Sequence, residues 1–202
     1  MIQDATSQFD FSQVQLSKPS VLPDGSFFTK IVNKDVPLYV YTPKCSTKQG
    51  VVTTGTKQHI DMILTSNEFI AWVESLEERL EQLLFENRSA WFVDDSIDID
   101  DIQNAFMPIL KVKQTQHALR AFIPLRKQSI KEPTVYIYDV YEKPLDVSSI
   151  KEDSTIISIL DFSGVSFNQK SFQVSINIRQ IMVLEKTPFS SCMIKLKEKE
   201  EI

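Results

Sequence analysis

The chain has 202 residues, 42% of them apolar and 24% charged, with a formal net charge of −5; that is enough apolar material for a sizeable core at a length where one domain is the default. Only four glycines occur (Gly25, Gly50, Gly55 and Gly164), with neither GxxxxGK nor GxGxxG, which excludes a phosphate-cradling loop because such loops need glycines for close backbone approach. No apolar stretch approaches the roughly 18 residues of a membrane span, and MIQDATSQFDFSQ at the amino terminus carries two aspartates and no basic apolar run, so a protein of the cytosol or nucleus, without leader or membrane partner, is expected.

The first 64 residues read as strands and turns. Phe9, Phe11, Phe27 and Phe28 mark strand candidates around the turn Pro23-Asp24-Gly25. Val36, Leu38 and Val40 alternate with Pro37, Tyr39 and Tyr41, the period of a half-buried strand, and His59 to Leu64 is another.

The period then changes. Thr65 and Glu68 have capping-box spacing, and Phe69, Trp72, Val73, Leu76, Leu80, Leu83 and Leu84 recur at helical intervals, so a helix of Asn67 to Glu86 is expected. Asp98 is the expected N-cap of a second helix, with Asp100 and Asp101 in its first turn, an Ile99, Ile102 and Phe106 stripe, and Pro108 as its end. Strands resume at Ala118 to Leu125, Thr134 to Tyr141, Thr155 to Phe162 and Ser171 to Leu184, the last two joined through Gly164 and the turn Asn168-Gln169-Lys170. The expected organisation is one β-rich domain over 1–184, mainly β (α+β), with a helical insertion at 66–110 and a charged tail at 185–202.

Catalytic chemistry finds little support. The only histidines, His59 and His117, sit in no HExxH or GxSxG setting. Asp94, Asp95, Asp98, Asp100 and Asp101 lack the central glycine and closing glutamate of a calcium loop and read as carboxylates at a helix N-terminus. Cys45 and Cys192 stand apart with no CxxC, and read as small buried hydrophobes. No enzyme activity, metal or cofactor is expected.

Charge is unevenly placed. From Lys111 to Lys131 the bases are Lys111, Lys113, Arg120, Arg126, Lys127 and Lys131 with no acid among them, and from Lys30 to Lys57 five lysines face Asp35 alone. Glu68 through Asp101 instead holds eleven acids against Arg79 and Arg88. Two basic segments brought together would make a positive groove despite the negative total. Aromatic rings are interleaved with them, as single-strand binding needs: cations track phosphates and rings stack bases. Lys111, Lys113, Arg120, Arg126 and Lys127 are the candidates for phosphate contact, and Tyr39, Tyr41, Phe122, Tyr136 and Tyr138 for stacking.

Several residues fall in a familiar order. A Trp-bearing acidic helix is followed by Trp91-Phe92, then by Asp100, Asp101, Ile102, Phe106 and Pro108, then by Asp139 to Tyr141. Ile156, Ile159, Phe162, Gly164, Val165 and Phe167 precede an alternating strand containing Gln180. Over Phe69 to Leu184 this resembles the OB-fold single-stranded DNA-binding proteins of nucleocytoplasmic large DNA viruses, related to the short-tailed coliphage replication SSB. The resemblance implies an antiparallel OB-like barrel of five strands with two inserted amphipathic helices. It also implies binding of single-stranded DNA without base preference, in viral DNA replication and recombination in the host cytoplasm or nucleus, with replication proteins or further copies of itself as partners. The coliphage-type proteins end in an acidic, aromatic-closed tail, whereas 185–202 holds four lysines against four glutamates and ends in isoleucine. The alternative is a virion component, a minor capsid or scaffold protein that binds proteins. An exposed Trp72, Leu76 and Leu80 stripe would favour that alternative, and a buried one would make the helix structural.

Overall fold

The computed structural model describes residues 1–92, 96–125, 134–168 and 171–184. Cys45–Thr54 (β1) and Lys57–Leu64 (β2) form an antiparallel hairpin across Gly55, whose φ of +60° suits the tight turn. Gln116–Ile123 (β3) pairs antiparallel with β2, and Thr155–Phe167 (β4) pairs antiparallel with Phe172–Val183 (β5). β4 returns to β1 through Thr155↔Ser46 and Ile156↔Cys45. β3 meets β5 in parallel through one bridge, Phe122↔Asn177. The ring β1-β2-β3-β5-β4, with its parallel contact between third and fifth strands, is the strand order of an OB barrel, a partly open five-stranded Greek key.

Alternation along the strands separates an inside from an outside. Ile60, Met62 and Leu64 of β2 and Leu119, Ala121 and Ile123 of β3 are buried inward with Leu160, Phe162, Ile176 and Ile178. Asp61, Arg120, Phe122 and Asn177 stand on the outer side. Two amino-terminal strands extend this outer surface along one edge of β4. Phe27–Asn33 pairs through Lys30↔Gly164 and Phe28↔Ser166, and Tyr39–Tyr41 through Tyr39↔Asp161 and Tyr41↔Ile159.

The helices lie between β2 and β3. Asn67–Glu86 (α1) has the expected span, but its cap is Ser66, not Thr65, because the extended Ser66 backbone brings its hydroxyl to the Phe69 N–H. The Trp72, Leu76 and Leu80 stripe is buried. Trp72 packs edge-on against Phe162 of β4 and Phe9 of the amino-terminal segment, with ring centroids at 5.5 and 5.2 Å. α1 therefore spends its apolar face on the core. Arg88–Trp91 (α2) is one turn. Ile99–Ala105 (α3) opens with a reciprocal capping box between Asp98 and Asp101. It stops short of Pro108, because Phe106–Met107 pairs in parallel with Phe172 and Gln173.

Other elements depart from the sequence expectation for local reasons. Phe9 and Phe11 lie in no strand; Phe11–Gln13 is a 3-10 turn capped by Asp10, and both rings pack on Trp72. Val36 to Tyr41 is not one strand. Lys34 and Asp35, both at positive φ, turn Val36–Pro37 back onto Val32 and Asn33, and Tyr39–Tyr41 then departs to β4. The Thr134 strand shortens to Tyr136–Tyr138, ended by Asp139 accepting hydrogen bonds from the Tyr141 and Lys143 amides. β4 continues through Gly164 to Phe167. β1, read only as part of a strand-and-turn region, is the first barrel strand. Asp94, Asp95, Gln169, Lys170, Cys192 and the 185–202 tail lie outside the described residues. Cys45 is a buried free thiol, and burial pushes its pKa up to about 12. Among the described residues no group of three or more His, Cys, Asp or Glu could hold a metal, and no helix is long and apolar enough to cross a membrane.

Candidate nucleic-acid interface

The outward residues of the barrel strands meet in register. Asp61 faces Arg120, whose Nε and Nη2 donate to the two carboxylate oxygens at 2.7 and 2.8 Å. That hydrogen bond, ahead of the opposing effect of burial, holds the Asp61 carboxyl below its ordinary value. Phe122 faces His59 with ring centroids 6.0 Å apart, and the Lys57 ammonium lies 5.7 Å from the Phe122 centroid. Burial, helped by the Arg120 charge, lowers the His59 pKa and favours a neutral imidazole.

Two grooves cross this surface. The first, about 440 Å³, follows the seam where β3 and β5 share their single bridge. Lys57, Gln58, Phe122 and Leu125 line one side of it, Gln173, Ser175 and Asn177 the other, with Phe28 at one end. The second, about 340 Å³, has Phe28, Lys30, Pro37 and Tyr39 from the amino-terminal strands and Asp161, Ser163, Asn177 and Arg179 from the β4–β5 hairpin. Phe28, Ser163 and Asn177 line both, so the two grooves adjoin and together form a track across this face.

Local chemistry builds the shared segment. Gly164 lets the strand carrying Phe28 approach β4: a Cβ there would stand 2.2 Å from the Thr29 carbonyl oxygen and 2.5 Å from Phe28 Cζ. Asn177 Nδ2 donates to Ser163 Oγ at 2.8 Å. Arg179 donates through Nε (2.9 Å) and Nη2 to Asp161 Oδ2, with the carboxylate buried and the guanidinium about half exposed.

Phe122 and Tyr39, both expected from sequence, line the track. Arg120 sits on the same strand face as Phe122, already engaged by Asp61. Lys111, on the edge strand Leu110–Lys113 opposite Ala118, is near enough for its charge to act on His59 and Asp61, whereas Lys113, opposite Gln116, lies at the end of β3 remote from Phe122. Tyr41 is exposed on the face of Tyr39 but beyond the lining. Tyr136 and Tyr138, opposite Gln180 and Met182 of β5, also lie outside both linings. Arg126 and Lys127 lie outside the described residues. Phe28, Lys30, Lys57, Asn177 and Arg179 were not candidates from sequence. Their signal was the period-two placement of Phe28 with Lys30 and of Asn177 with Arg179 on strand faces that carry cations.

No protein-family model matches the chain, and no curated protein matches it in sequence. Among solved structures it is similar to the single-stranded DNA-binding protein from bacteriophage Enc34, with TM-score 0.45 and 11% identity over 90% of this chain and 96% of that one. The same phage protein in complex with single-stranded DNA gives 0.45 and 10%, over 88% and 98%. For gp2.5, a single-stranded DNA-binding protein encoded by bacteriophage T7, the values are 0.49 and 8%, over 79% and 98%. The OB assignment rests on the strand order of this chain. These three structures are of phage proteins, and none is of the large-DNA-virus family that the sequence resembles.

Proposed function

We propose that this chain is a non-catalytic protein that binds single-stranded DNA with little regard to sequence. The carrying observation is the pair of adjoining grooves on the barrel's outer face, which bring Phe28, Phe122 and Tyr39 together with Lys57 and Lys30. Rings in a groove can stack only unpaired bases, and cations beside them neutralise the phosphates between those bases. The net charge of −5 does not oppose this, because the acids concentrate in the helical segment and the track takes its bases from strands. On the sequence resemblance we extend the proposal to viral DNA replication and recombination in the host cytoplasm or nucleus.

The virion-component alternative had its support in an exposed helical stripe. That stripe is buried, so no observation favours it.

Fluorescence-anisotropy titration of labelled oligo-dT at about 50 and about 200 mM salt tests the proposal. Binding that weakens with salt and resists competition by duplex is the expected result. No binding at low salt would overturn it.

A further inference from the structure

Part of the track is one row of cross-strand partners, Tyr39, Asp161, Asn177 and Phe122. A second row runs beside it, roughly 7 Å along the strands. Tyr41 pairs with Ile159, Ile159 with Gln180, and Gln180 with Tyr136. Tyr41 and Ile159 each lie two residues from Tyr39 and Asp161, so they keep the same outward face. On β5 the step from Asn177 to Gln180 is three residues. Ile159 and Leu160 face Gln180 and Ile178, which leaves Arg179 as the extra residue of a bulge. Without that bulge Gln180 would point into the barrel and the second row would be broken.

The rows offer different chemistry. The first lies in the grooves, with Lys30 and Lys57 at hand. The second has no charged side chain between its rings: Ile159 and Gln180 are half-buried, while Tyr41 and Tyr136 at its ends are 43% and 68% exposed. Ile157, Met182 and Tyr138, the next outward partners, extend the uncharged surface. Asp4, opposite Tyr41, stands outside the rings. Such a surface presents faces for stacking but nothing to hold a phosphate, so a base reaches it only on a strand anchored next door. We propose, on the single-stranded DNA reading above, that Tyr41 and Tyr136 form a second stacking platform for strands already held by the cations of the grooves. It engages only strands long enough to run past the grooves, and it contributes without releasing counterions.

The test uses the full chain with labelled oligo-dT of about four and about sixteen nucleotides, the range of sites on single OB folds. Tyr41→Ala combined with Tyr136→Ala should weaken binding of the longer strand about fivefold or more. The salt dependence, and the affinity for the shorter strand, should stay as in the wild type. Tyr41→Phe combined with Tyr136→Phe keeps both rings and should bind both strands like the wild type. Equal binding of the longer strand by the wild type and the alanine variant would overturn the platform and leave the grooves standing, the result expected of a surface that docks a protein instead. A loss shared equally by both lengths would also overturn it, because the rings would then support the grooves or the fold. So would a phenylalanine variant as weak as the alanine one. Failure of the wild type to bind either strand would instead sink the reading on which the platform rests.

Discussion

The Phe28 ring packs directly on the backbone of Gly164, so closely that any side chain there would overlap Phe28 Cζ. The strand partner of Gly164 is Lys30, and both Phe28 and Lys30 line the track. Gly164→Ala should push this strand off β4. Overpacking of this kind costs about 1–3 kcal/mol, readable in a denaturant melt, and affinity for single-stranded DNA should fall with it. A variant that melts and binds like the wild type would show that Gly164 does not set the position of Phe28.

Within the first groove, Phe122 and Lys57 should matter more than Arg120. Phe122→Ala removes a stacking ring, a loss of about 1–3 kcal/mol in binding at any salt concentration. Lys57→Ala should lower affinity and flatten the salt dependence by about one counterion. Arg120→Ala should change both less, because the guanidinium is already neutralised by Asp61. Affinities measured at three salt concentrations separate these outcomes, and an Arg120 effect equal to that of Lys57 would refute the ranking.

The Asp61–Arg120 pair also makes a pH-dependent contribution to stability. The folded carboxyl lies below its unfolded value near 3.8. Its contribution is therefore fully present above that pH and disappears as pH falls through the folded value. Asp61→Asn should be less stable than wild type by about 0.5–1 kcal/mol near neutrality, a figure limited by solvent screening of the partly exposed arginine. Thermal melts across the acid range should show the two proteins converging; a constant gap would contradict the pair's role.

On α1 the sign is opposite. Burial pushes the carboxyls of Glu77 and Glu81 above their ordinary value of 4.5, partly offset by the Ile109 amide donating to Glu77 at 2.6 Å and by Gln103 bonding to Glu81. A raised folded value favours the protonated group. The stability it brings is full below the unfolded pKa and is lost as pH rises through the folded one. Glu81→Gln should therefore stabilise the protein at neutral pH, by up to about 1 kcal/mol, and lose that advantage in acid. Destabilisation at neutral pH would mean that the ionised carboxylate has a partner worth more than its desolvation cost.

Periodicity carried far into this structure where it was strong. Asn67–Glu86 was readable to its ends because its apolar residues recur on one face and its acids on the other. The long hairpin of β4 and β5 was equally visible in alternation. Cys45–Thr54 was not, because CSTKQGVVTT has few apolar residues and its buried ones are small. The break at Leu38 was hidden because Val36, Leu38 and Val40 keep the same alternation across two differently paired strands.

Composition, charge segregation and ring placement determined by themselves that strands would carry both the cations and the aromatics, and they gave Phe122 and Tyr39 as two of ten candidates. Which residues meet was decided by long-range pairing, because a barrel's outer face is assembled across strands far apart in the chain. Phe28 and Lys30 come to Asn177 and Arg179 only because Gly164 admits a foreign strand to the edge of β4. Arg120, among the most basic-looking candidates in the sequence, is quenched by Asp61 fifty-nine positions away, a neighbour that only the antiparallel register of β2 and β3 supplies.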